Sequence, residues 1–132
     1  MKVKYGLFAC VIVGMLNIPG LAQEGTLGKV SFANSCDAKV QESVNRGVAM
    51  LHSFWYSAGE KTFREVLTQD PSCVIATWGI ASLLMSNPLA GACSSTQGAS
   101  EARAAVEHGR KVGAKTQRER DYIAAVAAYY ED

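Results

Sequence analysis

Apolar side chains recur every three to four positions along most of the chain after Asp37, which predicts amphipathic α-helices. The first stripe consists of Val40, Val44, Val48, Leu51 and Trp55. The second consists of Gly59, Phe63, Val66 and Leu67, and Ser57 with Glu60 predicts a capping box where that helix begins. No segment alternates with period two over a useful length. The pattern therefore predicts an all-α fold.

Three more helices are predicted after the turn at Asp70-Pro71. An almost uniformly apolar helix extends from this turn to about residue 85. The stretch 87–100 is rich in Gly, Ser, Ala and Pro and predicts a loop. A fourth helix carries Ala102, Ala105, Val106 and Gly109 on one face, and the last carries Ile123, Val126, Ala127 and Tyr130. Thr116 with Glu119 predicts a second capping box at the start of this last helix.

The N-terminal segment 1–22 has the pattern of a secretory signal peptide. Two lysines precede the apolar run Leu7–Leu16, and the small residues Gly20 and Ala22 fit a cleavage site. A membrane anchor is the weaker alternative, because ten apolar residues span only about 15 Å of a hydrocarbon core about 30 Å thick. We expect removal of segment 1–22 and export to the periplasm or the medium, with 23–36 as a leader or linker.

Charge and motifs exclude several classes of function. Without the signal peptide the chain has 11 basic and 12 acidic side chains, which leaves no basic surface for nucleic acid. No later segment is long and apolar enough to predict a stable membrane span. The nucleotide-binding and hydrolase motifs are absent, and neither His52 nor His108 has the neighbouring ligands of a metal site. We expect no catalytic residues, no metal and no cofactor.

The spacing of Gly47, Gly59, Phe63 and Pro71 predicts a helical hairpin. Two antiparallel helices pack closely where small residues face each other, so we expect Gly47 opposite Ala58 or Gly59. Phe63 is expected to fill the space between the helices. Pro71 ends the hairpin because proline cannot continue a helix interior.

Comparison of the chain with itself indicates a repeat. The first helices match in the pairs Val40 with Val74, Val44 with Trp78, Gly47 with Ala81 and Leu51 with Met85, all at one constant lag. This lag is about 34 residues, which is the period of tetratricopeptide helix pairs. The second helices match at a longer lag, where Phe63 meets Val106. The difference between the two lags falls in the predicted loop 87–100.

These features resemble the tetratricopeptide repeat (TPR) family over residues 37–132. The motifs that are similar to secreted bacterial members are His52-Ser53-Phe54-Trp55-Tyr56, Asp70-Pro71-Ser72-Cys73 and Trp78-Gly79-Ile80-Ala81. The resemblance implies TPR-like antiparallel hairpins in a short right-handed α-solenoid of about two and a half repeats. A generic five-helix bundle is the alternative, and it would show the same stripes without the repeat.

The resemblance also implies a binding surface. Stacked hairpins place their first helices along a concave groove that takes extended peptides or helices. The groove positions carried over are Gln41, Val44, Val48, Leu51 and His52 in the first repeat and Ile75, Trp78, Ser82 and Met85 in the second. The alternative is that other repeats or the leader, residues 23–34, cover these side chains.

Two classes of function remain open. The first is a non-catalytic protein- or peptide-interaction module of an exported bacterial-type TPR protein. The second is the N-terminal repeat region of a larger exported enzyme or ligand-binding protein whose active residues lie beyond Asp132. A heme or metal carrier that uses His52 or His108 is a third and weaker hypothesis.

Three cysteines remain after cleavage of the signal peptide. An antiparallel hairpin returns the chain to its starting end, which places Cys36, before the first helix, near Cys73, after the second. We expect these two to form a disulfide in an oxidising compartment and Cys93 to be a free thiol. The last helix has no hairpin partner, which predicts an incomplete array with a frayed end, or self-association through Tyr129 and Tyr130.

Overall fold

The computed structural model describes residues 27–131, which fold into five α-helices with no β-strand in that range. The helices are α1 (Gln41–His52), α2 (Tyr56–Gln69), α3 (Val74–Leu84), α4 (Thr96–Val112) and α5 (Gln117–Ala128). Short 3-10 turns lie at Ala38–Val40 and Pro88–Ala90. The all-α prediction is confirmed. The predicted signal peptide, segment 1–22, lies outside the described residues.

Helix α3 lies at the centre of the array. It packs against α1, α2, α4 and α5, and α1 also contacts α2, as α4 does α5. The buried residues of α3 are Val74, Ile75, Ala76, Thr77, Gly79, Ile80, Ala81 and Leu83. A helix surrounded on several sides needs apolar or small side chains all round, which explains why this segment shows no clear amphipathic stripe.

Phe63 of α2 fills the space where α1, α2 and α3 meet, and none of its surface is exposed. A Cβ atom on Gly47 of α1 would lie 2.7 Å from the Phe63 ring, and one on Gly79 of α3 would lie closer still. A Cβ atom on Gly59 would instead meet Leu83 of α3 and Met50 of α1. The structure thus places the Phe63 ring itself, rather than a small residue of α2, opposite Gly47.

A second core joins α3, α4 and α5. A Cβ atom on Gly109 of α4 would collide with the buried hydroxyl of Thr77, so a glycine is what allows α4 to approach α3. The hydroxyl of Tyr130 donates a 2.7 Å hydrogen bond to the carbonyl of Ala81, and burial raises the pKa of Tyr130 to about 12. Tyr130 therefore packs against α3, whereas Tyr129 is 44% exposed.

The two predicted capping boxes have different outcomes. Thr116 and Glu119 form a reciprocal box at the start of α5, as predicted. The box predicted from Ser57 and Glu60 is wrong, because α2 begins at Tyr56, with Trp55 in the N-cap position and no side-chain cap bond. Helix α2 thus begins directly after the aromatic residues Phe54 and Trp55, without a polar side chain that caps its first turn.

The predicted loop 87–100 is too long at its C-terminal end. Ser95 is the N-cap of α4, and its hydroxyl accepts a 3.0 Å hydrogen bond from the N–H of Gly98. Because this bond satisfies a donor that the first helical turn leaves open, the helix can begin at Thr96. Cys93, in the remaining loop, is a free and exposed thiol, as predicted.

Cys36 and Cys73 are bonded, with their Sγ atoms 2.06 Å apart, which confirms the predicted pairing. The bond ties the chain before α1 to the start of α3. Asp70 reinforces this connection, because its carboxylate accepts hydrogen bonds from the N–H of Asp37 at 2.8 Å and from the hydroxyl of Ser72 at 2.7 Å. These bonds hold the pKa of Asp70 below its usual range, although desolvation opposes them.

Candidate functional site

Residues 27–36, which we call the strap, lie across one face of the array formed by α1, α3 and α5. The strap has no helix or strand. Val30, Phe32 and Asn34 are half-buried, whereas Ser31 and Ala33 between them are exposed. Side chains that alternate in this way are those of an extended chain with one side against a surface. The structure therefore shows an extended segment bound on the α1/α3/α5 face.

Phe32 anchors the middle of the strap in an aromatic site. Its ring stacks on Trp78 of α3 with centroids 5.5 Å apart and an interplanar angle of 3°, and it meets the edge of Tyr122 of α5 at 5.4 Å. The guanidinium of Arg118 lies 4.9 Å from the Phe32 centroid. Aromatic pairs and a cation over a ring each add to the burial of apolar area, so this is a specific site for an aromatic side chain.

Helix side chains bind the main chain of the strap. On α1, the Asn45 side chain accepts from the Phe32 N–H at 2.9 Å, and the Gln41 amide donates to the Cys36 carbonyl at 3.1 Å. At the start of α5, the Arg118 guanidinium donates to the carbonyl of residue 33 at 3.2 Å, and Lys115 donates to that of residue 35 at 3.2 Å. Such bonds hold the extended main chain of the strap and do not depend on its side chains.

Glu119 is the one acidic residue within 27–131 that combines near-complete burial with a direct bond to the strap; it is 1% exposed. Its carboxylate accepts from the Ser35 N–H at 2.8 Å and from the Ser35 hydroxyl at 2.7 Å, and it also accepts from the Thr116 hydroxyl at 2.8 Å. Desolvation raises its pKa, but the bonds from Ser35 and Thr116 outweigh this and hold the pKa of Glu119 below its usual range. Glu119 is therefore an ionised acceptor aimed at the strap.

The nine predicted groove residues lie in three kinds of environment. Trp78 and Gln41 contact the strap directly. Val44, Val48 and Ile75 are buried in the core, and Leu51, Ser82 and Met85 are half-buried. His52 is exposed. At Trp78 and Gln41 the structure shows the alternative in which the leader covers the face. The role of the nine residues in binding a partner stays a prediction.

Sequence reasoning missed the strap contacts. The alternation from Val30 to Asn34 was the available signal, but so short a segment cannot be distinguished from a linker. Arg118 and Glu119 belong to a charged cluster at a helix start, which is most simply a solvated surface. Only the fold brings these side chains to the strap.

Donor atoms of Cys36, Asp70 and Cys73 lie within 4.8 Å of one another, the arrangement that a metal ion would need. The two sulfur atoms are bonded to each other, and the Asp70 carboxylate already accepts hydrogen bonds from Asp37 and Ser72. In the disulfide form this cluster therefore holds the α1 and α3 ends together and does not offer thiolate ligands.

Two cavities lie next to each other along α4 and α5. The first, about 470 Å³, is lined by Arg103, Val106, Glu107, Arg110, Ala127, Tyr130 and Glu131. The second, about 230 Å³, shares Arg110. Arg110 forms ion pairs with Glu131 at 2.6 Å and with Glu107 at 3.2 Å, so the first cavity has a charged rim of balanced sign.

No family model, curated protein or solved structure matches this chain. None of the helices within residues 27–131 is long and apolar enough to cross a membrane.

Proposed function

We propose that this chain is a non-catalytic peptide-interaction module of an exported TPR-like protein, and that it binds extended peptides on the α1/α3/α5 face. The observation that carries the proposal is the strap, an extended segment held there through its main chain and one aromatic side chain. Peptide-binding surfaces obtain affinity from main-chain bonds and specificity from side-chain pockets, and this face has both.

The TPR-like architecture has support from the order of helix contacts. α3 packs on both α1 and α5, while α2 and α4 follow the helices with which they form hairpins. In a solenoid of hairpins the first helices of successive repeats are neighbours in this way, and α1, α3 and α5 are those first helices. The repeat found in the sequence agrees with this arrangement.

Export has support from the charged and apolar pattern of segment 1–22 and from the Cys36–Cys73 bond, since disulfides persist in oxidising compartments. Intact-mass measurement of the protein recovered from the periplasm or medium should show a chain that begins at Gln23. A mass that includes segment 1–22 in the exported fraction would contradict cleavage there.

A library of random linear peptides displayed on phage tests the binding proposal. The library is selected against the wild-type chain and against the Phe32→Ala variant, in which the strap no longer fills the aromatic site. Peptides bound at the face should be lost when Tyr122→Ala is introduced, because Tyr122 forms one wall of this aromatic site. Lys61→Ala, on the exposed surface of α2, is the matched control and should retain them. Enrichment on neither protein, or enrichment indifferent to Tyr122→Ala, would contradict the proposal.

A further inference from the structure

The strap binds the α1/α3/α5 face as a separate peptide would. Four of its main-chain groups are bonded by Asn45, Arg118, Lys115 and Gln41, and a fifth, the N–H of Ser35, is bonded by Glu119. None of these bonds belongs to a helix or a sheet. The strap is thus a ligand in its chemistry, although it is part of the same chain.

We infer that the strap is an intramolecular ligand that occupies the peptide site and excludes other peptides from it; this inference rests on the proposed function. The peptide that it excludes is an extended one with an aromatic residue three positions before a serine. The spacing is that of Phe32 and Ser35 in the strap itself. The class of ligand follows from the two places where the face recognises side chains, the aromatic site and Glu119.

The aromatic position is the more selective of the two. A flat ring suits this position, because Trp78 and Tyr122 pack edge to face with centroids 4.9 Å apart and Phe32 lies against both, nearly parallel to Trp78 at 3°. Arg118 favours an electron-rich face and disfavours a cation at this position. An aliphatic side chain would fill part of the space but would lose both interactions.

The serine position is selective through charge. Glu119 is ionised and buried, so it accepts a hydrogen bond from a hydroxyl and repels a carboxylate. Between the two positions, the amide of Asn34 exchanges two hydrogen bonds with Gln41, at 2.9 and 2.7 Å. An amide one residue before the serine is therefore the third preferred feature.

The strap can leave the face without dissolving the helical core. Only Val30, Phe32 and Cys36 of the strap pack against the main core cluster, whose buried members come from the helices and their immediate ends. Glu119 would keep its hydrogen bonds from the Thr116 hydroxyl and N–H after Ser35 departs, so its carboxylate would not be left without donors. Segments with few apolar contacts open at a lower free energy than the global fold.

Covalent attachment makes the strap a strong competitor. The main chain runs from Cys36 through the turn Ala38–Val40 into α1, and Cys36 is also bonded to Cys73, so the strap remains next to the face even when it is released. A tethered segment has an effective concentration in the millimolar range. A free peptide binds only the molecules whose strap is released, so its apparent Kd is raised by the inverse of that fraction.

The test uses a fluorescein-labelled peptide with the sequence of residues 27–35, LGKVSFANS, and measures its anisotropy with the mature chain. Phe32→Ala should bind this peptide at least 10-fold more tightly than the wild type, because its own strap has lost the aromatic anchor. Ser31→Ala, a change at the neighbouring exposed strap position, is the matched control and should bind like the wild type. A peptide with alanine in place of its phenylalanine should bind at least 10-fold more weakly.

Phe32→Leu provides a second variant that preserves apolar volume in case Phe32→Ala does not fold, and it should bind the peptide more tightly than the wild type by a smaller factor. Equal binding by wild type and a folded Phe32 variant would overturn the inference but leave the proposed function standing. Failure of the strap peptide while selected library peptides still bind would overturn the aromatic-x-x-Ser preference alone. Failure of both would remove the proposed function.

Discussion

Replacement of Gly79 by alanine should destabilise the protein, although alanine is the better helix former. Gly79 lies on α3, where its missing side chain makes room for the Phe63 ring. The ring cannot retreat toward α1, because Gly47 also approaches the ring and a Cβ there would be 2.7 Å away. A methyl group at residue 79 must therefore displace the ring or separate the helices.

The magnitude follows from two opposing effects. Overpacking a well-filled core costs typically about 1–3 kcal/mol. The change from glycine to alanine in a helix returns about 1 kcal/mol. A Cβ at residue 79 would come closer to the Phe63 ring than one at residue 47, so the overpacking cost lies in the upper part of its range, about 2–3 kcal/mol. The expected net loss for Gly79→Ala is therefore about 1–2 kcal/mol, and Gly47→Ala should act in the same direction. For a domain of this size that loss lowers Tm by roughly 4–15 °C.

Urea unfolding of the oxidised protein, followed by far-UV circular dichroism, measures the free energy directly. Phe63→Leu removes the ring, so in that background Gly79→Ala should become neutral or stabilising. Gly28→Ala is the control, because a Cβ there has no atom within 4 Å. If Gly79→Ala is stabilising in the wild-type background, or costs the same with Phe63→Leu, the ring is not the obstacle and the reasoning is refuted.

Two further predictions concern the strap end of the molecule. Folding lowers the pKa of Glu119 from an ordinary value of 4.5, so its contribution to stability is complete above that pH and is lost as the pH falls through the lower folded pKa. Glu119→Gln should lower the free energy of unfolding at pH 7 by about 1–3 kcal/mol. The variant should also lose less stability than the wild type when the pH falls below the ordinary pKa of a glutamate. Urea midpoints measured at each pH would show both effects, and an unchanged dependence of stability on acid pH would contradict the prediction. Replacing both Cys36 and Cys73 by serine should cost about 3–4 kcal/mol, because the bond closes a loop with a sequence separation of 37. Wild type with a dithiol reductant should match that variant, and a difference of less than about 1 kcal/mol between oxidised and reduced protein would contradict the estimate.

Local pattern was sufficient for most of the helices. Apolar periodicity depends on which face of a helix is buried, and the stripe from Val44 to Leu51 corresponds to α1 and the one from Gly59 to α2. The predicted end of the first stripe is wrong, because α1 ends at His52 and Trp55 is the N-cap of α2.

The capping box at Thr116 was readable because its partners are close in sequence. The predicted start of α2 was wrong because Ser57 and Glu60 have the spacing of a capping box but lie inside the helix. The N-cap residue is Trp55, which makes no side-chain cap bond and so gives no signal in the sequence.

The disulfide could also be predicted from the sequence. Cys36 and Cys73 flank a predicted hairpin, and antiparallel helices of similar length return the chain to its starting end. That argument needs only the number and direction of two helices. The contact of Phe63 with Gly47 was partly predictable for the same reason, because both residues belong to this hairpin. The contact of Phe63 with Gly79 was not, because Gly79 belongs to α3 and meets the ring only through the packing of the next helix.

The presence of five helices, the turn at Asp70-Pro71 and the cysteine pair could be predicted from sequence alone, because each depends on residues near in sequence or on the length of one hairpin. The position of the strap could not, because it depends on how the helices pack. Ser35 meets Glu119 across a sequence separation of 84, and Phe32 has neighbours from two helices. Such contacts depend on the angle and spacing of three packed helices, and a short run of weak alternation carries no information about them.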